Sequence, residues 1–105
     1  FHPPMIHVIA QIEIEPGMRA AFLVEFKQII PRVLQEQGCM EYSPAVDAET
    51  DLERQHRNEN QVTIIEKWET LDDLKNHLAA PHMLAYRERI KDMVKNAQLN
   101  ILSPA

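Results

Sequence analysis

Apolar residues fall at every second position from Ile6 to Ile14: Ile6, Val8, Ala10, Ile12 and Ile14 share one face, with His7, Ile9, Gln11 and Glu13 on the other. Period two predicts a strand with one strongly apolar and one mixed face, broken by Pro16-Gly17. Over 18–37 the period becomes helical, with Phe22, Phe26, Ile29, Ile30, Val33 and Leu34 in one stripe. Pro31 inside it predicts a kink, and Gly38 is expected as the residue that ends the helix. A second strand is expected over 39–47, through Met40, Tyr42 and Val46. The charged stretch 48–60 then reads as a long hairpin connection. Over 61–69 the alternation is clearest, with Val62, Ile64, Glu66 and Trp68 on one face. Thr70 and Asp73 have capping-box spacing and open a short helix to about residue 79. Pro81 suits the first turn of the next helix, where Met83, Tyr86, Ile90 and Val94 recur at spacings of three or four. Lys91 and Lys95 are expected near its C-terminal end, where cations suit the helix dipole. A last strand is expected over 98–102, closed by Pro104.

The order strand, helix, strand, strand, helix, strand predicts an α+β fold of the ferredoxin-like split βαβ kind, with the helices on one face of an antiparallel sheet. The other face carries Ile9, Thr63 and Ile65 among polar neighbours. That is too apolar to meet water comfortably, and a second copy of the chain is its simplest cover. A homodimer with sheets face to face is therefore expected. Residues 1–4 lack periodicity and precede Met5; they are expected to be an added leader, leaving a single domain over 5–105.

Composition narrows the chemistry. Of 105 residues, 45% are apolar and 26% charged, and the net charge is −5. Such a chain folds, and without a basic run neither nucleic acid nor an anionic membrane is its default partner. No apolar stretch is long enough to span a bilayer, and a cytoplasmic location is expected. The single cysteine, Cys39, rules out an intrachain disulfide or a thiolate cluster. Two glycines, Gly17 and Gly38, leave no phosphate cradle or dinucleotide fingerprint. Neither Ser43 nor Ser103 sits in a nucleophile-elbow context.

The residues left for chemistry are few. His77 and His82 flank the break between two helical pieces, at a spacing that is not the i, i+4 pattern of a zinc helix. Each is a candidate proton carrier or, equally, a surface or capping histidine. Glu66 shares a strand face with Trp68. A carboxyl placed towards the helices must pair with a cation or hydrogen-bond to His77 or a tyrosine. Trp68 is a core tryptophan or the flat wall of an aromatic-ligand pocket. Tyr42 and Tyr86 can add hydroxyls to that space, and Phe22, Phe26 and Met83 can enclose it. Cys39 is most simply a small core residue.

Glu66-Lys67-Trp68-Glu69, followed by Leu74, His77 and Pro81-His82-Met83, resembles the Glu-x-Trp, Leu-x-x-His and Pro-His signature of the antibiotic biosynthesis monooxygenase family. The Gly38-Cys39-Met40-Glu41-Tyr42 stretch is similar to the segment after that family's first helix. The likeness runs from Met5 to Pro104 and is strongest to the bacterial quinol monooxygenase branch. The resemblance implies a dimeric α/β barrel that oxidises reduced quinones or polyphenols with dioxygen, using no flavin, haem or metal. For such a reaction the chemistry of the residues themselves makes His77 and Glu66 the expected catalytic pair, with Trp68, Tyr42, His82, Tyr86, Phe22, Phe26 and Met83 expected around the substrate. A quinone reductase is a candidate partner. Two alternatives share the pattern: a hydroxy-ketone isomerase of the same fold, and a non-enzymatic dimer that binds haem or another aromatic ligand.

Overall fold

The computed structural model of the chain describes residues 5–105; the expected leader at 1–4 lies outside them. Strand β1 (Ile6–Ile14) buries Ile6, Val8, Ala10 and Ile14 as its alternation requires. Helix α1 (Arg19–Leu34) turns Phe22, Phe26, Ile29 and Val33 onto that face. Next come β2 (Cys39–Ala45), β3 (Gln61–Trp68), α2 (Leu71–Leu78), α3 (Pro81–Ile90) and β4 (Val94–Leu102). The sheet order is β2-β3-β1-β4, with every neighbouring pair antiparallel. This is the ferredoxin-like arrangement. Pro44 is tolerated because β2 is an edge strand. No helix among the described residues is long and apolar enough to cross a membrane.

Several boundaries differ from the pattern-based expectation. Helix α1 runs on through Pro31 and stops at Leu34, so Gly38 does not cap it. The chain instead makes short turns, with Glu36 N–H donating to Val33 C=O at 2.9 Å and Cys39 N–H to Glu36 C=O at 3.2 Å. Gly38 takes φ +80° as the third residue of that second turn. Strand β2 ends at Ala45, two residues early. Helix α3 ends at Ile90, and Val94 and Lys95 belong to β4, which is nearly twice as long as expected. Lys91 is the C-cap and pairs with Glu88 at 2.6 Å, while Lys95 reaches across the sheet to Glu13 at 3.8 Å. Thr70 caps α2 by accepting from Asp73 N–H at 3.0 Å. The Asp73 carboxylate lies against Gly38, where an added Cβ would collide with it.

The helices do not cover the whole sheet. Leu99 and Ile101 of β4 stand in register with buried Ala10 and Val8 on the helix side, yet each is 45% exposed. On the opposite face Ile9 pairs directly with Ile65, and both are half-buried.

Candidate active site

Between the sheet and helices α2 and α3 lies a cavity of about 380 Å³. Ile12 and Ile64 form its sheet side, and Phe22, Met83 and Ile90 its helix side. Among the groups able to exchange protons that reach it are Tyr42 from β2, Glu66 from β3, His77 from α2 and Tyr86 from α3. It is a mainly apolar site with a few convergent polar groups, the usual form of a small-molecule pocket.

His77 is held by a residue the sequence did not single out. Glu36, in the turn after α1, accepts from His77 Nδ1 at 3.0 Å and from His82 Nε2 at 2.7 Å. Against a carboxylate each of those ring nitrogens is the N–H. The tautomer of His77 thus has its lone pair on Nε2, which makes no hydrogen bond among the described residues. No buried side-chain nitrogen or oxygen there lacks a partner. Nε2 is therefore not sealed off, on a ring that lines the cavity. Burial holds the His77 pKa below its ordinary value, helped by the charges of Arg87 and His82, although Glu36 pulls the other way. Burial thus favours the neutral ring.

Glu66 and His77, expected to touch as carboxylate and imidazole, have different partners. Glu66 accepts from Trp68 Nε1 at 3.0 Å, because the two share a strand face two residues apart. Burial raises the Glu66 pKa to about 7, with Glu36 adding to the rise and the Trp68 bond opposing it. The tyrosine hydroxyls are likewise pushed up, first by burial and for Tyr42 also by Glu66.

Of the residues expected around a substrate, Tyr42, Tyr86, Phe22 and Met83 line the cavity with His77 and Glu66. Three do not. Trp68 is fully buried and lies behind His77, ring centroids 4.7 Å apart, so it backs the imidazole and forms no wall. Phe26 is also fully buried and stacks on Tyr42 at 5.1 Å. His82 is drawn away by Glu36. Cys39 is half-buried rather than core, and burial together with Glu36 and Glu66 pushes its thiol up to about 11, which makes it a poor nucleophile. A larger depression of about 470 Å³, lined by Arg19, Asp47 and Arg57 among others, is polar and offers nothing to enclose an aromatic ring. Among the described residues no group of three or more His, Cys, Asp or Glu is placed to hold a metal ion.

Glu36 was hidden because its partners lie 41 and 46 residues away. The only local signal was an acidic side chain beside the glycine turn.

Residues 5–89 match the sequence profile described as antibiotic biosynthesis monooxygenase, and the chain belongs to that family. It is 40% identical over 102 residues to the "Probable quinol monooxygenase YgiN" of Escherichia coli K12, covering 95% of this chain and 98% of that protein. The protein of the same description from Shigella flexneri matches equally. Among solved structures, PA3566 from Pseudomonas aeruginosa superimposes with a TM-score of 0.83 at 20% identity, covering 100% of this chain and 98% of that one. Rv0793 from Mycobacterium tuberculosis gives 0.79 at 22% identity, covering 96% and 95%. These two structures bear on the fold alone.

Proposed function

We propose that this protein oxidises a reduced quinone, of naphthoquinol type, with dioxygen and without a bound cofactor. The observation that carries this reading is the His77 ring, anchored through Nδ1 to Glu36 in the wall of a mainly apolar cavity, with Nε2 left without a hydrogen-bond partner among the described residues. The name of the 40% identical relatives supports the quinol as substrate class. A phenol titrates near pH 10, so at neutral pH its proton must be taken by a positioned base. Nε2 takes it, and Glu36 both fixes the ring and stabilises the imidazolium that forms. The dihydroxy ring supplies the electrons itself, the task a cofactor otherwise performs. In simple oxidation the quinol gives two electrons and two protons to dioxygen, yielding quinone and hydrogen peroxide. If one oxygen atom enters the ring, the products are a hydroxyquinone and water. The apolar walls exclude water from the quinolate.

The test is oxygen uptake with 2-methyl-1,4-naphthoquinol, on protein shown to contain no flavin, iron or copper. Uptake well above autoxidation supports the reading; uptake equal to autoxidation overturns it. The working unit in this proposal is a homodimer, supported by the apolar pair Ile9 and Ile65 on the sheet face that no helix covers.

A further inference from the structure

We infer that the ligand of this cavity is an aromatic acid: its ring carries a carboxylate that pairs with the guanidinium of Arg87. The inference rests on the reading above only in taking the ligand to be aromatic. Arg87 lies on α3, lines the cavity and is half-buried. Among the described residues it takes part in no ion pair and no side-chain hydrogen bond. The other cations nearby are partnered even at the surface: Arg89 with Glu25 at 3.1 Å and Lys91 with Glu88 at 2.6 Å. Arg19 is the other half-buried guanidinium without an ion pair among the described residues, but it lines the polar depression beside Asp47, whereas Arg87 lines an apolar cavity.

Removing a cation from water costs free energy unless an anion or hydrogen-bond acceptors replace the water. Arg87, which has no acceptor among the described side chains, is free to take an anion that enters the cavity. Its planar fork matches a carboxylate bidentately, which a neutral substituent cannot reproduce. Lys91 lines the same cavity four residues on and adds positive potential. The one carboxyl facing inward, Glu66, is engaged with Trp68. The cavity is thus apolar along its walls, with a proton acceptor at His77 and a cationic group at Arg87. Arg87 also opposes protonation of His77. An anion bound there cancels that field and makes Nε2 a stronger base when substrate is present.

The test uses two redox-inert probes of the same shape, 2-naphthoate and 2-naphthamide, titrated calorimetrically into the intact protein. Wild type is expected to bind the carboxylate at least about tenfold more tightly than the amide, the usual worth of a charged hydrogen-bonded contact. Arg87→Gln should bring that ratio close to one by weakening the naphthoate, and Arg87→Lys should keep part of it. Equal affinities in wild type, a preference for the amide, binding of neither probe, or a ratio that survives Arg87→Gln each overturn the inference. The wild-type ratio decides the matter even if a variant folds poorly. Neither probe can be oxidised as a quinol, so failure of the oxygen chemistry leaves this ratio untouched. Oxygen uptake with a neutral quinol beside a ratio of one sinks this inference alone.

Discussion

A histidine anchored at one nitrogen and free at the other is useful only if it stays neutral until substrate arrives, and burial favours that state in His77. His77→Ala should lower quinol turnover by about 10²–10⁴-fold, the usual contribution of a general base. Because the ring is buried against Trp68 the variant should also lose stability, so turnover is compared where both proteins remain folded. His82→Ala should cost much less, because His82 meets Glu36 and does not line the cavity. Wild-type rates in His77→Ala would remove the base mechanism. Glu36→Gln keeps the shape of the turn and weakens the anchor, with an expected loss of up to about 10²-fold, the cost of a displaced catalytic group. The same variant should shift the acid limb of the pH–rate profile downwards, since Glu36 raises the His77 pKa; a merely structural role would leave that limb in place. Glu66 yields a prediction about stability. Its pKa lies at about 7 against an ordinary 4.5, so the folded state holds a proton that the unfolded chain releases. The stability this contributes is complete below pH 4.5 and is lost as pH rises through about 7. His77 acts in the opposite sense: its contribution is present above its ordinary 6.5 and is lost as pH falls below that value. Comparison of Glu66→Gln with wild type isolates the first effect. The variant should gain about 2–3 kcal/mol on wild type between pH 4.5 and pH 8 in urea unfolding. A difference that does not change with pH would show that Glu66 ionises normally.

Elements, not residues, bring this site together, and the turn between α1 and β2 does most for it. Glu36 points at both histidines because the chain reverses there, and the reversal requires Gly38 at φ +80° with the Asp73 carboxylate packed beside it. Gly38→Ala should destabilise by about 2 kcal/mol, the cost of forcing a side chain into the left-handed region. It should also loosen Glu36 and so lower turnover. Thr70→Ala removes the cap from α2, the helix that holds His77, and should cost about 1 kcal/mol in the same unfolding measurement. The elements themselves were largely legible, since β1 and β3 alternate cleanly and α1 has a continuous stripe. The end of α3 was not. Val94 follows Ile90 at helical spacing, yet it equally suits the start of an alternating strand, and no glycine or proline marks the change. What decides it is tertiary: Met93 C=O accepts from Glu15 N–H at 2.8 Å, which ties the chain to the end of β1 before it can add another turn. Six of the nine candidate residues line the cavity, three do not, and the pairings among them were not legible. Trp68 and Glu66 sit two apart on one strand and bond to each other, whereas Glu36 and its histidines are 41 and 46 residues apart and meet only through the tertiary fold.

At the scale of the molecule the apolar surfaces are arranged unevenly, and that asymmetry carries the last prediction. The helices bury one face of the sheet through β1 and β3 and leave the other face open. On the open face, Ile9 and Ile65 sit opposite one another at the centre of the sheet, bordered by Thr63 on β3 and Ser43 on β2. Two such faces packed together would take both isoleucine pairs out of water, worth about 1.5–3 kcal/mol for each side chain moved from full exposure to full burial. Since Ile9 and Ile65 are already half-buried in one chain, the gain is nearer the lower end. The proposed dimer should scatter light with twice the 12.2 kDa of one chain at micromolar concentration. Its thermal midpoint should rise with protein concentration, because only the folded chain associates. Ile65→Lys places a cation at the centre of that face, directly across from Ile9. It should return the scattering mass to 12.2 kDa and abolish the concentration dependence, without touching the helix-side cavity. If Ile65→Lys stays at the doubled mass, the chains meet through another surface. The uncovered Leu99 and Ile101 of β4, on the helix side, are then the next position to charge.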